Sequence, residues 1–126
     1  MNNDLIKLKN NLKIALYYEF YCECLLIENK ILGILVNDIL NFLNIKMALS
    51  IEDAIKKIDD LDVNNNLTLE HIVKNLLKEI NEWQLNCEKN QINFFGENLN
   101  KDFALNGKNL ILNLENNILL LKNNEI

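Results

Sequence analysis

Proline is absent from this chain, and glycine occurs only three times in 126 residues. Strand-rich and mixed α/β domains need many tight turns, which proline and glycine form most readily. Long helices joined by few connections need far fewer such residues. The hydrophobic fraction of 49% indicates a chain that folds, and its length is that of one domain. The sequence therefore predicts a single all-α domain over residues 1–126.

The charge of the chain excludes several classes of partner. The net charge is −5, and all 13 basic residues are lysine. Nucleic-acid binding depends on basic patches and favours arginine, so we expect no nucleic-acid partner. The most apolar stretch, residues 31–49, is interrupted by polar and charged residues and is not expected to insert in a membrane. With no signal-peptide pattern at its start, the chain is expected to be soluble and cytoplasmic.

Apolar periodicity divides the chain into helical stretches. In chain order, these cover residues 3–31, 31–49, 51–61, 68–95 and 102–121. Gly33 is a possible kink, Ser50 and Thr68 are candidate N-caps, and 62–67 is the clearest loop. We expect an antiparallel bundle of three long helices plus one short helix, with coiled-coil-like packing. Its core would lie within residues 3–95, and a linker at 97–101 would lead to a C-terminal partner-binding helix at about 102–122.

The last predicted helix carries more apolar residues than one packed face requires. One face is formed by residues at helical steps, namely Phe103, Leu110, Leu114, Ile118 and Leu121. A second stripe at seven-residue steps runs beside it, namely Leu105, Leu112 and Leu119. Ile111 and Leu120 widen the arc further. The helix is therefore either buried on several sides or keeps an apolar flank for a partner.

The sequence offers little catalytic chemistry. His71 is the single histidine, so no histidine-based metal site or catalytic triad can be assembled, and we expect it on the surface. The three cysteines, Cys22, Cys24 and Cys87, have no zinc-binding spacing and are expected to be reduced and buried. We therefore expect no enzyme, no catalytic residue, no metal and no cofactor.

Aromatic side chains are expected mainly in the core. Tyr17, Tyr18, Phe20 and Tyr21 form a cluster within the first predicted helix, and one or two of these rings could lie at a half-wet edge. Trp83 lies on an apolar helix face, which favours core packing over a binding hot spot.

Two segments resemble flagellar hook-junction export chaperones of the FlgN type. In the first, Glu28, Asp38 and Lys46 stand among apolar residues at helical steps. In the second, the pair Asn106-Gly107 precedes Leu110-Ile111, and leucines continue at helical steps toward the end. The resemblance implies a small cytosolic helical chaperone that binds the apolar C-terminal helices of secreted hook-filament junction proteins and prevents their premature association.

The resemblance also implies which residues would bind the partner. These are residues of the closing helix, namely Phe103, Asn106, Gly107, Leu110, Ile111, Leu114, Ile118 and Leu121. A hinge at 96–101 would precede them. Two other functions remain open. One is a small acidic helical inhibitor or immunity protein that blocks a partner protein. The other is a homodimeric structural bundle, in which a second copy covers the extra apolar arc.

Overall fold

The computed structural model describes residues 3–42, 52–57, 68–89 and 97–123, with side chains except at 68–73, 88–89, 97–99 and 121. Every described residue outside the turn at 18–20 is helical. In chain order the helices are α1 (Asn3–Tyr17), α2 (Tyr21–Phe42), α3 (52–57), α4 (Thr68–Lys89) and α5 (Glu97–Asn123). The prediction of an all-α bundle is confirmed. None of these helices combines the length and hydropathy needed to cross a membrane.

Helix α2 is the centre of the bundle. Helices α1 and α5 both pack along α2, and α4 packs mainly on α5. Helix α1 is antiparallel to α2 across the turn at 18–20, whereas α2 and α5 run in the same direction. This direction follows from two contacts, because Gly107 lies against Glu28 and Lys122 pairs with Asp38 further along both helices.

A single hydrophobic core draws residues from all five helices. Helices α1 and α3 contribute Leu12, Ala15 and Ala54, and α2 contributes most of the central layer. The largest side chains with essentially no exposure are Leu25, Ile31, Leu32, Ile39, Leu77, Ile80 and Leu114. Helix α5 is therefore an integral part of the core, packed together with residues of the predicted core at 3–95.

The predicted helix over residues 3–31 is broken at 18–20. Glu19 adopts a left-handed conformation, with φ of 61°. The Glu19 N–H donates to the Leu16 carbonyl at 3.2 Å, and the Phe20 N–H donates to the Ala15 carbonyl at 2.9 Å. These two bonds form a Schellman motif, in which glycine is the usual left-handed residue. Since glutamate occupies that position here, no glycine or proline marks the end of α1.

The other helix boundaries differ from the sequence pattern in specific places. Helix α2 passes through Gly33 without a break, and α5 begins at Glu97 rather than near Asp102. The predicted linker at 97–101 is thus helical, and Asn100 within it is already buried against the bundle. The predictions for residues 43–51, 58–67 and 90–96, including the Ser50 cap and the Gly96 hinge, lie outside the described residues. So does the side chain of His71.

The aromatic residues at the turn between α1 and α2 lie mostly outside the core. Tyr17 is 80% exposed, and Tyr18 and Phe20 are also exposed. Because the chain reverses at residues 18–20, these rings project from the outside of the turn, where Tyr18 stacks on Phe20 with ring centroids 6.0 Å apart. Tyr21 packs partly against the core. Trp83, in contrast, is buried as predicted.

Candidate protein-binding surface

Helix α5 has a buried face that combines small and large residues. Its fully or nearly buried members follow three- and four-residue steps, namely Ala104, Gly107, Ile111, Leu114 and Ile118. This face packs on α2 and α4. The small residues at its N-terminal half let neighbouring helices approach closely, and the large residues fill the core beyond them.

Half of the eight residues predicted to bind a partner lie on that buried face. Ile111, Leu114 and Ile118 are core residues, with Leu114 at 0% exposure, and Gly107 is buried. Phe103 and Leu110 are partly buried against the core, Asn106 is exposed, and the Leu121 side chain lies outside the described residues. The predicted face is therefore covered in the folded chain, and the assignment of the partner to it stays a prediction. The α2 and α4 side chains already cover it.

The second apolar stripe of α5 lies on the surface. Leu105, Leu112 and Leu119 are 42%, 50% and 59% exposed, and we call these three residues the leucine stripe. Their seven-residue spacing keeps them on one side of the helix over about two heptads. The sequence already distinguishes this stripe from its neighbour, whereas the family resemblance implies that the other face binds the partner.

A groove runs between α1 and α5 beside the leucine stripe. The two helices both rest on α2 but make few direct contacts with each other. The space between them encloses about 510 Å³. Its apolar lining consists of Ile6, Leu12, Leu16, Ile31, Ile111 and Leu112. We call this feature the α1–α5 groove, and Leu112 belongs both to it and to the leucine stripe.

The charged residues of the α1–α5 groove are mostly lysines. Lys9, Lys13, Lys108 and Glu115 line it. Lys9 spans the groove and pairs with Glu115 at 2.6 Å. Lys13 and Lys108 have no ion-pair partner within the part of the chain that the structure describes. The groove therefore carries a local positive surplus on a chain whose net charge is −5.

Beneath this surface, Gly107 forms the closest contact between three helices. A Cβ atom at this position would lie 2.6 Å from Glu28 Oε1 of α2 and 2.7 Å from Trp83 Cζ2 of α4. Real Cβ atoms essentially never approach so closely, so any larger residue at position 107 would force Glu28 and the Trp83 ring to shift. The Trp83 Nε1–H donates to the Phe103 carbonyl of α5 at 2.9 Å, which fixes the indole ring over the junction.

Glu28 is a buried carboxyl at this junction. Its side chain has 0% exposure, and neither carboxyl oxygen has a hydrogen-bond partner among the described residues. Burial raises the pKa of Glu28 from 4.5 to about 9 and outweighs the Lys108 ammonium, which lowers it. Glu28 is therefore protonated and neutral at pH 7. Burial, with a further contribution from Glu28, also raises the pKa of Cys24 to about 11, so this thiol is not a nucleophile at neutral pH.

The position of Glu28 in the sequence contains a signal for its burial. Glu28 lies four residues after Cys24 and four before Leu32, and both of these are buried in α2. A carboxylate at that spacing falls on the apolar face of its helix. From the sequence, Glu28 contributes only to the family resemblance, and its burial is not among the predictions.

No group of three or more metal-ligating side chains occurs among the described residues. Cys22, Cys24 and Cys87 form no disulfide within the described residues; Cys24 and Cys87 are buried as predicted, whereas Cys22 is half-buried. Comparison with known proteins gives no match to a family model, to a curated protein or to a solved structure. The candidate site is thus defined by its own geometry.

Proposed function

We propose that this protein is a non-catalytic chaperone that binds an amphipathic helix of a partner protein. The observation that carries the proposal is the exposed leucine stripe on α5, beside the α1–α5 groove. Three leucines repeated on one face of a long helix are typical of a surface that pairs with another helix. Covering what remains exposed of each leucine would contribute about 1 kcal/mol, since full burial of such a side chain is worth roughly 1.5–3 kcal/mol.

The partner class that we propose is the apolar C-terminal helix of flagellar hook-filament junction proteins. The support is the resemblance of two segments to FlgN-type export chaperones, in a protein that would act in the cytoplasm. Glu28 of the first segment and Gly107 of the second contact each other. These residues would therefore shape the fold, and the leucine stripe would provide the contact with the partner.

The test is calorimetric titration with C-terminal segments of the hook-filament junction proteins from the same genome. We expect saturable binding that Leu112→Asp weakens at least tenfold. Leu85→Asp is the matched control, because Leu85 lies on α4 and is 50% exposed, as Leu112 is. Both variants should keep the helicity and melting temperature of the wild type, since neither side chain is in the core.

Two results would contradict the proposal. One is the absence of binding to any of these segments. The other is an equal loss of binding in the Leu85→Asp control, which would indicate nonspecific apolar association. Light scattering on the protein without peptide measures its mass and tests the alternative of a homodimer. A stable dimer that Leu112→Asp dissociates would mean that a second copy covers the leucine stripe.

A further inference from the structure

We propose that the α1–α5 groove selects an acidic amphipathic helix, with its apolar face on Ile6, Leu16 and Leu112 and its carboxylates paired with Lys13 and Lys108. The inference rests on the proposed function and deepens it, because it states the chemistry of the bound helix. Shape, charge and the neutral state of Glu28 each support it.

The shape of the groove fits a short stretch of helix. From Ile6 to Leu16 the α1 wall is ten residues long, or about 15 Å, which corresponds to about three helical turns. A volume of about 510 Å³ is small for a whole helix, so the helix would lie over the groove and place the side chains of one face in it. Ile31 and Ile111 form an apolar floor, so the groove suits side chains at i, i+3 or i+4, and i+7 of an amphipathic helix.

The charges of the groove favour carboxylates at the edges of that helix. Lys13 stands on α1 and Lys108 on α5, so the two free ammonium groups belong to opposite walls. Both side chains are exposed, and lysine stems can cover apolar surface while their ammonium groups remain in water. An acidic partner would neutralise both lysines, whereas a basic partner would face like charges and be excluded.

Glu28 explains why Lys108 stays available to a partner. Within the described chain, Lys108 lies close enough to the Glu28 carboxyl to interact with it electrostatically. Because burial keeps Glu28 protonated at neutral pH, it does not neutralise Lys108. Among the described residues, the Cys24 thiol of α2 also interacts with Glu28, and its raised pKa leaves it uncharged at that pH.

The experiment is a display selection on the full-length protein. The library consists of 14-residue helical peptides with leucine fixed at positions 1, 4, 8 and 11 and with flanking positions randomised among Glu, Lys and Gln. We expect wild type to enrich glutamate over lysine at least tenfold at these positions. The double variant K13E/K108E should reverse the preference. The matched control is K7E/K101E, since Lys7 and Lys101 are exposed lysines of the same two helices outside the groove.

The outcomes separate this inference from the proposed function. Peptides that lose binding on Leu112→Asp but show no charge preference would overturn the inference and leave the proposed function standing. An equal reversal in K7E/K101E would also overturn it, because net charge alone would then explain selection. Failure to select any peptide would contradict both. A dimer in solution that blocks peptide binding would assign the groove to a second copy and overturn the acidic-helix inference.

Discussion

The two apolar faces of α5 are built from similar residues and have opposite environments. Leu114 is fully buried against α2 and α4, whereas Leu112, two residues earlier, is half exposed. What distinguishes the faces is the presence of small residues. The buried face includes Ala104 and Gly107 beside its large side chains, and the leucine stripe includes none. Hydrophobicity therefore identifies both faces as apolar, but close packing identifies which of them is core.

The largest expected effect comes from truncating the same residue type on the two faces. Leu114→Ala should lower the free energy of unfolding by about 2–5 kcal/mol, because it leaves a cavity in a close-packed core. Leu112→Ala should lower it by less than about 1 kcal/mol, because that side chain is already half in water. Urea unfolding followed by circular dichroism measures both. Equal losses would mean that the two faces are not different environments.

The next largest effect is a dependence of stability on pH, which we expect to arise from Glu28 at the buried face of α5. Glu28 has a pKa of about 9 in the folded chain, against 4.5 ordinarily. Below pH 4.5 both states are protonated, and the stabilising effect of the neutral carboxyl is fully present. As the pH rises toward 9 the unfolded state loses its proton first, so stability falls by up to about 1.4 kcal/mol per pH unit.

Between pH 6 and 8 the loss through Glu28 should therefore be about 2–3 kcal/mol. Glu28→Gln keeps the shape of the side chain without its ionisation, so the difference between variant and wild type isolates this contribution. Urea unfolding at half-unit pH intervals from 6 to 8 measures it. If the two proteins have parallel pH profiles, the carboxyl is solvated or paired, and the three-helix junction is less tightly closed than its geometry indicates.

A third comparison uses two glycines in neighbouring helices. Gly107→Ala should destabilise the protein by about 1–3 kcal/mol, because the new methyl group would overlap Glu28 and the Trp83 ring. Gly33→Ala is the matched control, since a Cβ at Gly33 meets nothing within 4 Å. There the gain in helix propensity should stabilise the protein by about 0.4–1 kcal/mol. Thermal unfolding of both variants checks the opposite signs, and stabilisation by Gly107→Ala would contradict the close contact.

Global features of the fold could be predicted from composition, and local reversals could not. The absence of proline and the regular apolar spacing are sufficient for an all-α bundle. The end of α1 depends instead on Glu19, which adopts a left-handed conformation that glycine normally adopts. No residue type at this position therefore predicts the helix end. The exposure of Tyr17, Tyr18 and Phe20 follows from that turn and could not be predicted either.

The candidate surface was only partly predictable for a related reason. Both stripes of α5 can be identified from periodicity alone, because periodicity reports which residues share a face. Which stripe is covered depends on what the other helices present to it. Glu28 of α2 and Trp83 of α4 both contact Gly107 of α5, and they lie 79 and 24 positions before it in the sequence. The sequence therefore indicated an extra apolar face but assigned the partner to the covered one.

The smallest expected effect on stability concerns the far end of the leucine stripe. Leu119→Asn should change the free energy of unfolding by less than about 0.5 kcal/mol, as most surface substitutions do, because Leu119 is 59% exposed. Ile118→Asn, one residue earlier, should destabilise strongly, because an amide without partners would enter the core. Denaturation of both variants, followed by titration of the Leu119 variant with the hook-filament junction segments, separates the core role of α5 from its proposed binding role. Loss of binding with unchanged stability at Leu119 is expected if the stripe contacts the partner along its whole length. Retained binding would confine the contact to Leu112 and the α1–α5 groove.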